Sequence, residues 1–257
     1  MKKIKFKNFV ASNKNPFFLI AGPCVIESRK HTIKIAKLID NICKELKINF
    51  IFKSSFDKAN RSSINSYRGY GIEAGLEILG EVKDLFKCEI ITDVHNEKQC
   101  HLISKHDIVD VIQIPAFLSR QTDLLHAAGE TNKIINIKKG QFLSPYDMIN
   151  IIDKILITKN KKIMLTERGA SFGYNNLVSD FRSIEIMKRY GYPVIFDATH
   201  SVQEPGGFGN TSGGKREFVP ALSKAAIAVG ISGLFIETHD DPDNAPSDGP
   251  NMINIKD

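Results

Sequence analysis

Eight short runs of apolar, mostly β-branched residues recur along the chain, a few tens of residues apart. They lack the alternation of apolar and polar residues that marks a strand with one exposed face, so they are typical of parallel strands buried on both faces. These predicted strands are 17–22, 48–55, 88–94, 110–115, 133–139, 162–169, 193–200 and 233–239.

Segments with helical periodicity separate the predicted strands. In 29–46, apolar residues recur at spacings of three and four while charged residues occupy the other positions, which predicts an amphipathic helix. Residues 75–86 and 144–156 follow the same pattern, and another helix is predicted to stop at Gly230.

Eight strands that alternate with helices predict an α/β fold, specifically a closed (β/α)8 TIM barrel. An open, doubly wound sheet is the structural alternative. The residues after 233–239 read "DDPDNAPSDGPNMINIKD", which is loop-forming. We therefore expect the final helix of the barrel to be missing or truncated, with closure of the barrel by a partner as one possibility. No linker is evident, so residues 1–257 are predicted to form a single domain.

Composition and charge limit the kinds of partner that the protein is expected to bind and the compartment in which it is expected. The net charge of +6 comes from lysines spread through the chain, without the clustered stripe or recognised module of a nucleic-acid-binding protein. No apolar run is long enough to span a membrane, and residues 1–15 lack the apolar core of a signal peptide. The four cysteines form no CxxC pair. We expect a cytoplasmic protein that binds neither nucleic acid nor membrane.

A polar or reactive residue lies at or near the carboxyl end of every predicted strand. In a parallel barrel these ends meet at one face, where active sites are found. The residues are Cys24, Lys53, Asp93, Gln113, Lys138, Arg168, His200 and Glu237.

The cationic members of this face predict binding of anions. Lys53, Lys138 and Arg168 end apolar strands, and Lys58 and Arg61 follow the second strand. A charge at the end of a buried strand is costly unless it faces a polar cavity, and converging lysine and arginine side chains suit phosphate and carboxylate ligands. A solvated basic surface is the alternative.

A second set could bind a divalent metal such as Zn²⁺, Fe²⁺ or Mn²⁺. It combines a thiol, an imidazole and two carboxylates, on Cys24, His200, Glu237 and Asp248. No short ligand motif supports it, so three alternatives stay open at this point. Cys24 could be a buried small residue, His200 could be a hydrogen-bonded strand-end residue, and the two could form a nucleophile pair. His95 and His239 are interpreted as supporting or surface groups.

The motifs that carry these residues resemble one family. "AGPCVIES", "FKSSFDKANRSS", "TDVH", "DVIQIPAFLSRQTDLL", "LTERGASFGYNNLVSD", "PVIFDATHSVQ" and "LFIETHDDPDNAPSDGP" are similar to those of the 3-deoxy-D-manno-octulosonate 8-phosphate synthases. The resemblance implies a (β/α)8 barrel, usually a homotetramer. It also implies condensation of phosphoenolpyruvate, D-arabinose 5-phosphate and water to the eight-carbon sugar acid phosphate and inorganic phosphate, a step toward lipopolysaccharide.

The resemblance also implies roles for individual residues. Lys53, Lys138 and Arg168 would hold phosphoenolpyruvate, with Lys58 nearby. The residues implied for arabinose 5-phosphate are Asn60, Arg61 and Ser62, with Arg120 reaching the sugar phosphate across a subunit interface, and Ala116 is implied as a substrate-binding residue. Asp93 and Gln113 would line the space between the two substrates, and His200 would serve both catalysis and metal binding.

Two further distinctions rest on the resemblance. One branch of the family binds a metal and has cysteine after Gly-Pro, whereas the other has asparagine there, so Cys24 places this chain with the metal users. The related 3-deoxy-D-arabino-heptulosonate 7-phosphate synthases use erythrose 4-phosphate and usually carry a Lys-Pro-Arg-Thr-like segment where this chain has 58–63, "KANRSS". They are the alternative enzyme, and a phosphosugar- or nucleic-acid-binding protein without catalysis is the alternative of another class.

Overall fold

A computed structural model shows a closed barrel of eight parallel strands and describes residues 1–207 and 212–257. Each strand pairs with the next, and β8 pairs with both β7 and β1. The predicted TIM barrel is therefore confirmed and the open sheet is excluded. The strands are β1 Phe18–Gly22, β2 Phe50–Lys53, β3 Glu89–Asp93, β4 Val111–Ile114, β5 Ile134–Lys138, β6 Ile163–Glu167, β7 Val194–Asp197 and β8 Gly233–His239.

The helices form the outer layer. They are α1 Arg29–Leu46, α2 Ile72–Phe86, α3 Glu97–Ser104, α4 Thr122–Glu130, α5 Met148–Leu156, α6 Arg182–Lys188 and α7 Val219–Val229. Helix α1 shows why the sequence pattern predicted its bounds. The Ser28 hydroxyl accepts a hydrogen bond from the His31 amide at its start, and Lys47 ends it in a left-handed conformation. None of the described helices has the length and apolar character that a membrane crossing requires.

The segment after β8, residues 240–257, contains no α-helix, as the sequence predicted. It forms 3-10 turns at Pro242–Asn244 and Gly249–Asn251 and a short strand, Ile253–Asn254, which pairs with the end of β8. The barrel closes through hydrogen bonds between strands of the same chain, so closure does not depend on a partner. The turns of this segment place Asp248 at the carboxyl face of the barrel.

The amino end of the barrel is plugged. Strands Ile4–Lys5 and Val10–Ala11 form a hairpin whose Phe6 packs 6.0 Å, between ring centroids, from Phe18 at the start of β1. These residues share a core with inward-facing side chains such as Phe235. A second core fills the space between strands and helices. With one end filled by apolar side chains, the open face for chemistry is the carboxyl face.

Gly22, at the end of β1, shows how closely the strands approach at that face. A β-carbon there would lie 1.8 Å from the carbonyl oxygen of Lys53. We expect Gly22→Ala to destabilise the fold by about 3 kcal/mol because this backbone contact cannot relax as a side chain would. Denaturant unfolding measures it. Gly80→Ala, where the added methyl group meets only the flexible side chain of Ile108, is the control and should change stability by about 1 kcal/mol or less. Equal effects would contradict the expectation.

Candidate active site

The carboxyl ends of the strands surround a cavity of about 310 Å³. Four of its cationic residues, Lys53, Lys58, Lys138 and Arg168, are each 8% exposed or less. Most of the sequence-predicted site residues line this one cavity: Lys53, Lys58, Asn60, Arg61, Ser62, Asp93, Gln113, Ala116, Lys138, Arg168, His200 and Asp248. Arg120 does not line it. Arg120 is exposed, and its carbonyl oxygen accepts a hydrogen bond from the ammonium group of Lys154.

The four predicted metal ligands lie together beside the cavity. Sγ of Cys24 is 3.2 Å from Oδ2 of Asp248, and Nε2 of His200 is 3.8 Å from that oxygen and 3.5 Å from Oε2 of Glu237. Donor atoms bound tetrahedrally to Zn²⁺ at its usual bond lengths lie roughly 3.3–3.8 Å apart. The buried Oε2 of Glu237 has no hydrogen-bond partner among the described residues. One atom each of Cys24, Glu237 and Asp248 lies within 4.8 Å of the others, and Nε2 of His200 approaches the two carboxylates, so this donor set fits a divalent metal.

His200 is oriented for this site by Asp197. Nδ1 of His200 lies 2.8 Å from Oδ2 of Asp197, and the His200 amide donates to Oδ1 at 2.9 Å. The Nδ1 edge of the ring also lies 3.3 Å from the ammonium group of Lys138, so Asp197 and Lys138 together hold that edge and Nε2 is directed toward Glu237 and Asp248. Asp197 is fully buried, and despite that burial the neighbouring His200 and Lys138 side chains hold the pKa of its carboxyl well below its usual value.

The charges around Cys24 keep its thiol protonated in the protein alone. Burial, together with the nearby carboxylates of Glu237 and Asp248, raises the pKa of Cys24 well above its usual value. Burial would also raise the pKa of Glu237, but Lys53 and His200 lower it well below the usual range. Because thiolate is the ligand form, metal binding at Cys24 would displace a proton.

The ammonium group of Lys53 donates hydrogen bonds to acceptors within the protein. It donates to Oε1 of Glu237 at 2.7 Å, to the carbonyl oxygen of Cys24 at 3.1 Å and to the Ser55 hydroxyl at 3.2 Å. The Ser55 hydroxyl in turn donates to Asp93. Although burial acts in the opposite direction, Lys53 and Lys58 lower the pKa of Asp93 well below its usual value, so Asp93 is ionised. Lys53 thereby links the metal-ligand cluster to the wall of the cavity.

Arg168 follows β6, and its guanidinium group can donate further hydrogen bonds. Its Nη2 donates to Oε1 of Gln203 at 2.9 Å, whereas Nη1 is buried and has no partner among the described residues. Burial lowers the pKa of Arg168 and also that of Lys138. A buried guanidinium group with an unused N–H inside a polar cavity is suited to an anionic ligand.

Arg61 comes from the loop after β2 and contacts the segment after β8. Its Nη1 donates to the Ser247 hydroxyl and its Nη2 to the carbonyl oxygen of Pro246, both at 2.7 Å. The Ser247 hydroxyl is also 3.1 Å from Sγ of Cys24. One loop thus joins the predicted sugar-phosphate residue to the metal-ligand cluster.

The chain is similar to known proteins over nearly its whole length. Residues 2–257 match the sequence model of the DAHP synthetase I family. The chain is 56% identical over 252 residues to a protein of Bartonella henselae (98% of this chain, 90% of the relative). It is 57% identical over 245 residues to one of Agrobacterium fabrum (95% and 86%) and 58% identical over 256 residues to one of Rickettsia prowazekii (99% and 92%). Each relative is named 2-dehydro-3-deoxyphosphooctonate aldolase.

The chain belongs to the DAHP synthetase I family. Several residues that line the cavity were not assigned to the site from the sequence, namely His95, Gln141, Gln203 and Ser247. His95 was interpreted only as a supporting or surface group, but its Nε2 lies 3.6 Å from Oδ2 of Asp93. Gln203 had a usable signal, since it follows His200 by three residues, the spacing that a single helical turn brings to one side.

The predicted end of the seventh strand was wrong. The sequence placed His200 at the end of the seventh strand, but β7 stops at Asp197 and His200 begins a 3-10 turn, His200–Val202. The cause is local. Oδ1 of Asp197 accepts hydrogen bonds from the hydroxyl of Thr199 at 3.3 Å and from the amide of His200 at 2.9 Å, which turns the chain away from the sheet.

A second group of potential ligands, Glu27, His31 and His239, lies outside the cavity. The amide of Asp241 donates to Nδ1 of His239 at 2.8 Å, and Nε2 of that ring lies 2.9 Å from Glu27. An Nδ1 that accepts a hydrogen bond places the ring proton on Nε2. Since a protonated nitrogen cannot ligate, this group is a hydrogen-bonded link between α1 and the segment after β8.

Proposed function

We propose that this protein is a 3-deoxy-D-manno-octulosonate 8-phosphate synthase. It condenses phosphoenolpyruvate with D-arabinose 5-phosphate and water, and releases inorganic phosphate, in the supply of a lipopolysaccharide precursor. The observation that carries the proposal is the cavity, where four buried cations lie beside a thiol–imidazole–carboxylate cluster. The names of relatives that are 56–58% identical support the eight-carbon product.

The acceptor sugar is the point at which two enzymes of this family differ. Residues 58–63, "KANRSS", lack the Lys-Pro-Arg-Thr-like segment expected of a heptulosonate phosphate synthase, and Asn60, Arg61 and Ser62 line the cavity. A phosphate-release assay that offers arabinose 5-phosphate and erythrose 4-phosphate in parallel tests the proposal. Turnover with arabinose 5-phosphate is expected. Preference for erythrose 4-phosphate would favour the other enzyme, and no turnover with either would favour a binding protein.

The cations explain how the substrates are held. Arg168 and Lys138 would bind the phosphate and carboxylate of phosphoenolpyruvate, because both are buried and Arg168 has an unused N–H. Lys58 would assist, while Lys53 acts chiefly by holding Glu237. Fixing two anions in one cavity supplies proximity and orientation, which can account for a large part of the rate.

The reaction joins carbon-3 of phosphoenolpyruvate to the aldehyde carbon of the open-chain sugar. Water adds at carbon-2, and phosphate leaves with cleavage of its bond to carbon-2. Asp93 and Gln113, which line the cavity between the two proposed subsites, would orient the sugar. The ionised Asp93 and the cations around it would stabilise the charges that develop on the substrates.

We also propose that Cys24, His200, Glu237 and Asp248 hold a divalent cation, Zn²⁺, Fe²⁺ or Mn²⁺, on the geometric fit described above. When bound, the metal would polarise the aldehyde oxygen or orient the water. The residues of the chain would do the rest: Asp197 holds the Nδ1 edge of the His200 ring, and Lys53 holds Glu237.

Arg61 is proposed to bind the phosphate of the sugar. We expect Arg61→Ala to raise the KM for arabinose 5-phosphate about tenfold or more, the cost of a lost hydrogen bond to a charged group, with a much smaller change in the KM for phosphoenolpyruvate. Because Arg61 also contacts Ser247, metal content must be measured in parallel. Arg182, which is exposed and paired with Asp180, is the control. An equal rise of both KM values at unchanged metal content would contradict the assignment.

The remaining proposals concern assembly, domain organisation and location. We propose a homotetramer in which Arg120 serves the cavity of a neighbouring subunit, since it is exposed and does not line the cavity of its own chain. The large exposed side chains of Phe117, Phe142, Phe172 and Tyr174 support an interface.

We propose that residues 1–257 act as one domain. A cytoplasmic location is supported by four cysteines that are all free.

A further inference from the structure

Gln203 lies between two groups to which the proposed function assigns different tasks. It follows the 3-10 turn that begins with His200 and starts a short strand, Gln203–Glu204, which pairs with Gly213–Gly214. Its side-chain Oε1 accepts from Nη2 of Arg168 at 2.9 Å, and its Nε2 donates to Oδ1 of Asp248 at 2.8 Å. Only one orientation of the amide fits, because a guanidinium group is a donor only and a carboxylate an acceptor only.

Each hydrogen bond holds one atom of the charged group and leaves the other atom directed into the site. With Oδ1 of Asp248 held by the amide, Oδ2 faces Sγ of Cys24 and Nε2 of His200. With Nη2 of Arg168 held, Nη1 remains the buried donor without a partner among the described residues. The same amide therefore orients a proposed metal ligand and a proposed substrate ligand.

The amide also keeps these opposite charges apart. Arg168 and Asp248 line one cavity and attract each other. A direct ion pair between them would direct the guanidinium group at the carboxylate and use donors and acceptors that the substrate and the metal need. A neutral side chain that accepts on one side and donates on the other satisfies both groups without that pairing.

Asp248 needs such support because its backbone is unusual. It has a φ of 52°, in the left-handed region, and precedes Gly249, where a β-carbon would lie 2.4 Å from the carbonyl oxygen of Pro242. The loop that carries this carboxylate therefore has little freedom to adjust, and the side chain is positioned by its hydrogen bond to Gln203. A change in the position of Gln203 would reach the carboxylate directly.

We propose that Gln203 is a positioning residue that couples the two halves of the site. Metal binding at Asp248 fixes the amide, the amide fixes Arg168, and phosphoenolpyruvate then binds a guanidinium group that is already oriented. Thermodynamic linkage makes the effect mutual, so phosphoenolpyruvate strengthens metal binding by the same factor. This inference rests on the proposed function. It adds a residue that is not proposed to contact the sugar or the reacting carbons.

The test compares binding constants rather than turnover. Calorimetric titration of the full-length protein with phosphoenolpyruvate, with and without Mn²⁺, gives the coupling factor. Competition with a chelator gives the Mn²⁺ affinity with and without phosphoenolpyruvate. In the wild type we expect each ligand to raise the affinity of the other about tenfold. In Gln203→Met, which keeps the length of the side chain and loses the amide, the factor should fall to about two or less.

Stability and specificity are controlled in parallel. The thermal midpoint of Gln203→Met should lie within about 3 °C of the wild type, and Gln203→Leu provides a second variant if the first unfolds. Gln121→Leu, at an exposed glutamine before α4, should leave the coupling factor unchanged. An unchanged factor in folded Gln203→Met or Gln203→Leu would overturn the inference but leave the proposed function intact. Absence of phosphoenolpyruvate binding in the wild type would overturn both.

Discussion

Replacement of Lys138 by methionine is expected to lower kcat/KM for phosphate release by about 10³-fold. The ammonium group of Lys138 lies 2.7 Å from Oδ2 of Asp197, 3.3 Å from Nδ1 of His200 and 4.2 Å from the ring centroid of Phe235. Removing it deletes a cation proposed to hold phosphoenolpyruvate. It also leaves the buried Asp197 carboxylate without the ammonium group that it contacts.

The second consequence reaches the metal site. Lys138 helps to hold the pKa of Asp197 below its usual value. Without that ammonium group, Asp197 and the Nδ1 edge of His200 lose the cation that contacts both of them, so the ring is less firmly held with Nε2 toward Glu237 and Asp248. We therefore expect Lys138→Met to lose metal as well as substrate affinity, and metal analysis of the purified variant measures this.

Lys161→Met, at an exposed lysine before β6, is the matched control and should keep both activity and metal. Activity within about tenfold of the wild type for Lys138→Met would contradict a direct role in anion binding. Loss of activity with full metal content would limit the role of Lys138 to the substrate.

Removal of divalent metal with EDTA is expected to lower phosphate release by about 10²-fold or more, and Mn²⁺, Fe²⁺ or Zn²⁺ should restore it. The four donors come from β8 and from the segments that follow β1, β7 and β8, and their atoms already lie at spacings that a metal ion would bridge. The carboxylates of Glu237 and Asp248 share this cluster with the Cys24 thiol, and the ammonium groups of Lys53 and Lys58 lie 2.7 and 4.0 Å from Oε1 of Glu237.

Cys24→Asn tests the same site from the protein side. An amide is a weaker ligand than a thiolate for these metals, so we expect metal affinity to fall about tenfold or more. Cys100→Ala removes a buried thiol from α3, away from the cavity, and should change stability but not metal content. Full activity of metal-free wild-type protein would contradict the metal assignment. Activity of Cys24→Asn without metal would show that this position alone allows a metal-free reaction.

The strands and their order were predictable because each is encoded by a local pattern. An apolar run such as 133–139 can be buried on both faces only in a covered parallel sheet, and β5 forms within it, at Ile134–Lys138. The bounds of α1 were predictable for the same reason, since its caps and its apolar face lie within the helix and its neighbours. The end of β7 was not, because it depends on which amides the side chain of Asp197 accepts from.

The candidate site was also predictable only in part. The rule that strand ends meet at one face was enough to place Lys53, Lys138 and Arg168 in one cavity. It could not show that Lys53 is held by Glu237, 184 residues away, or that Asp197 orients His200. Such pairings are decided by differences of about one ångström between side chains from distant segments, and the apolar pattern contains no information on that scale.

By itself, the sequence determined the barrel, the lack of an α-helix within residues 240–257, the face that carries the chemistry and the types of residue found there. These follow from local burial and from the common direction of parallel strands. Only the tertiary structure decided which of those residues act together. The placement of Gln203 between Arg168 and Asp248 required the segment after β8 to fold back over the carboxyl face, and the closure of the barrel by β8 brings that segment there.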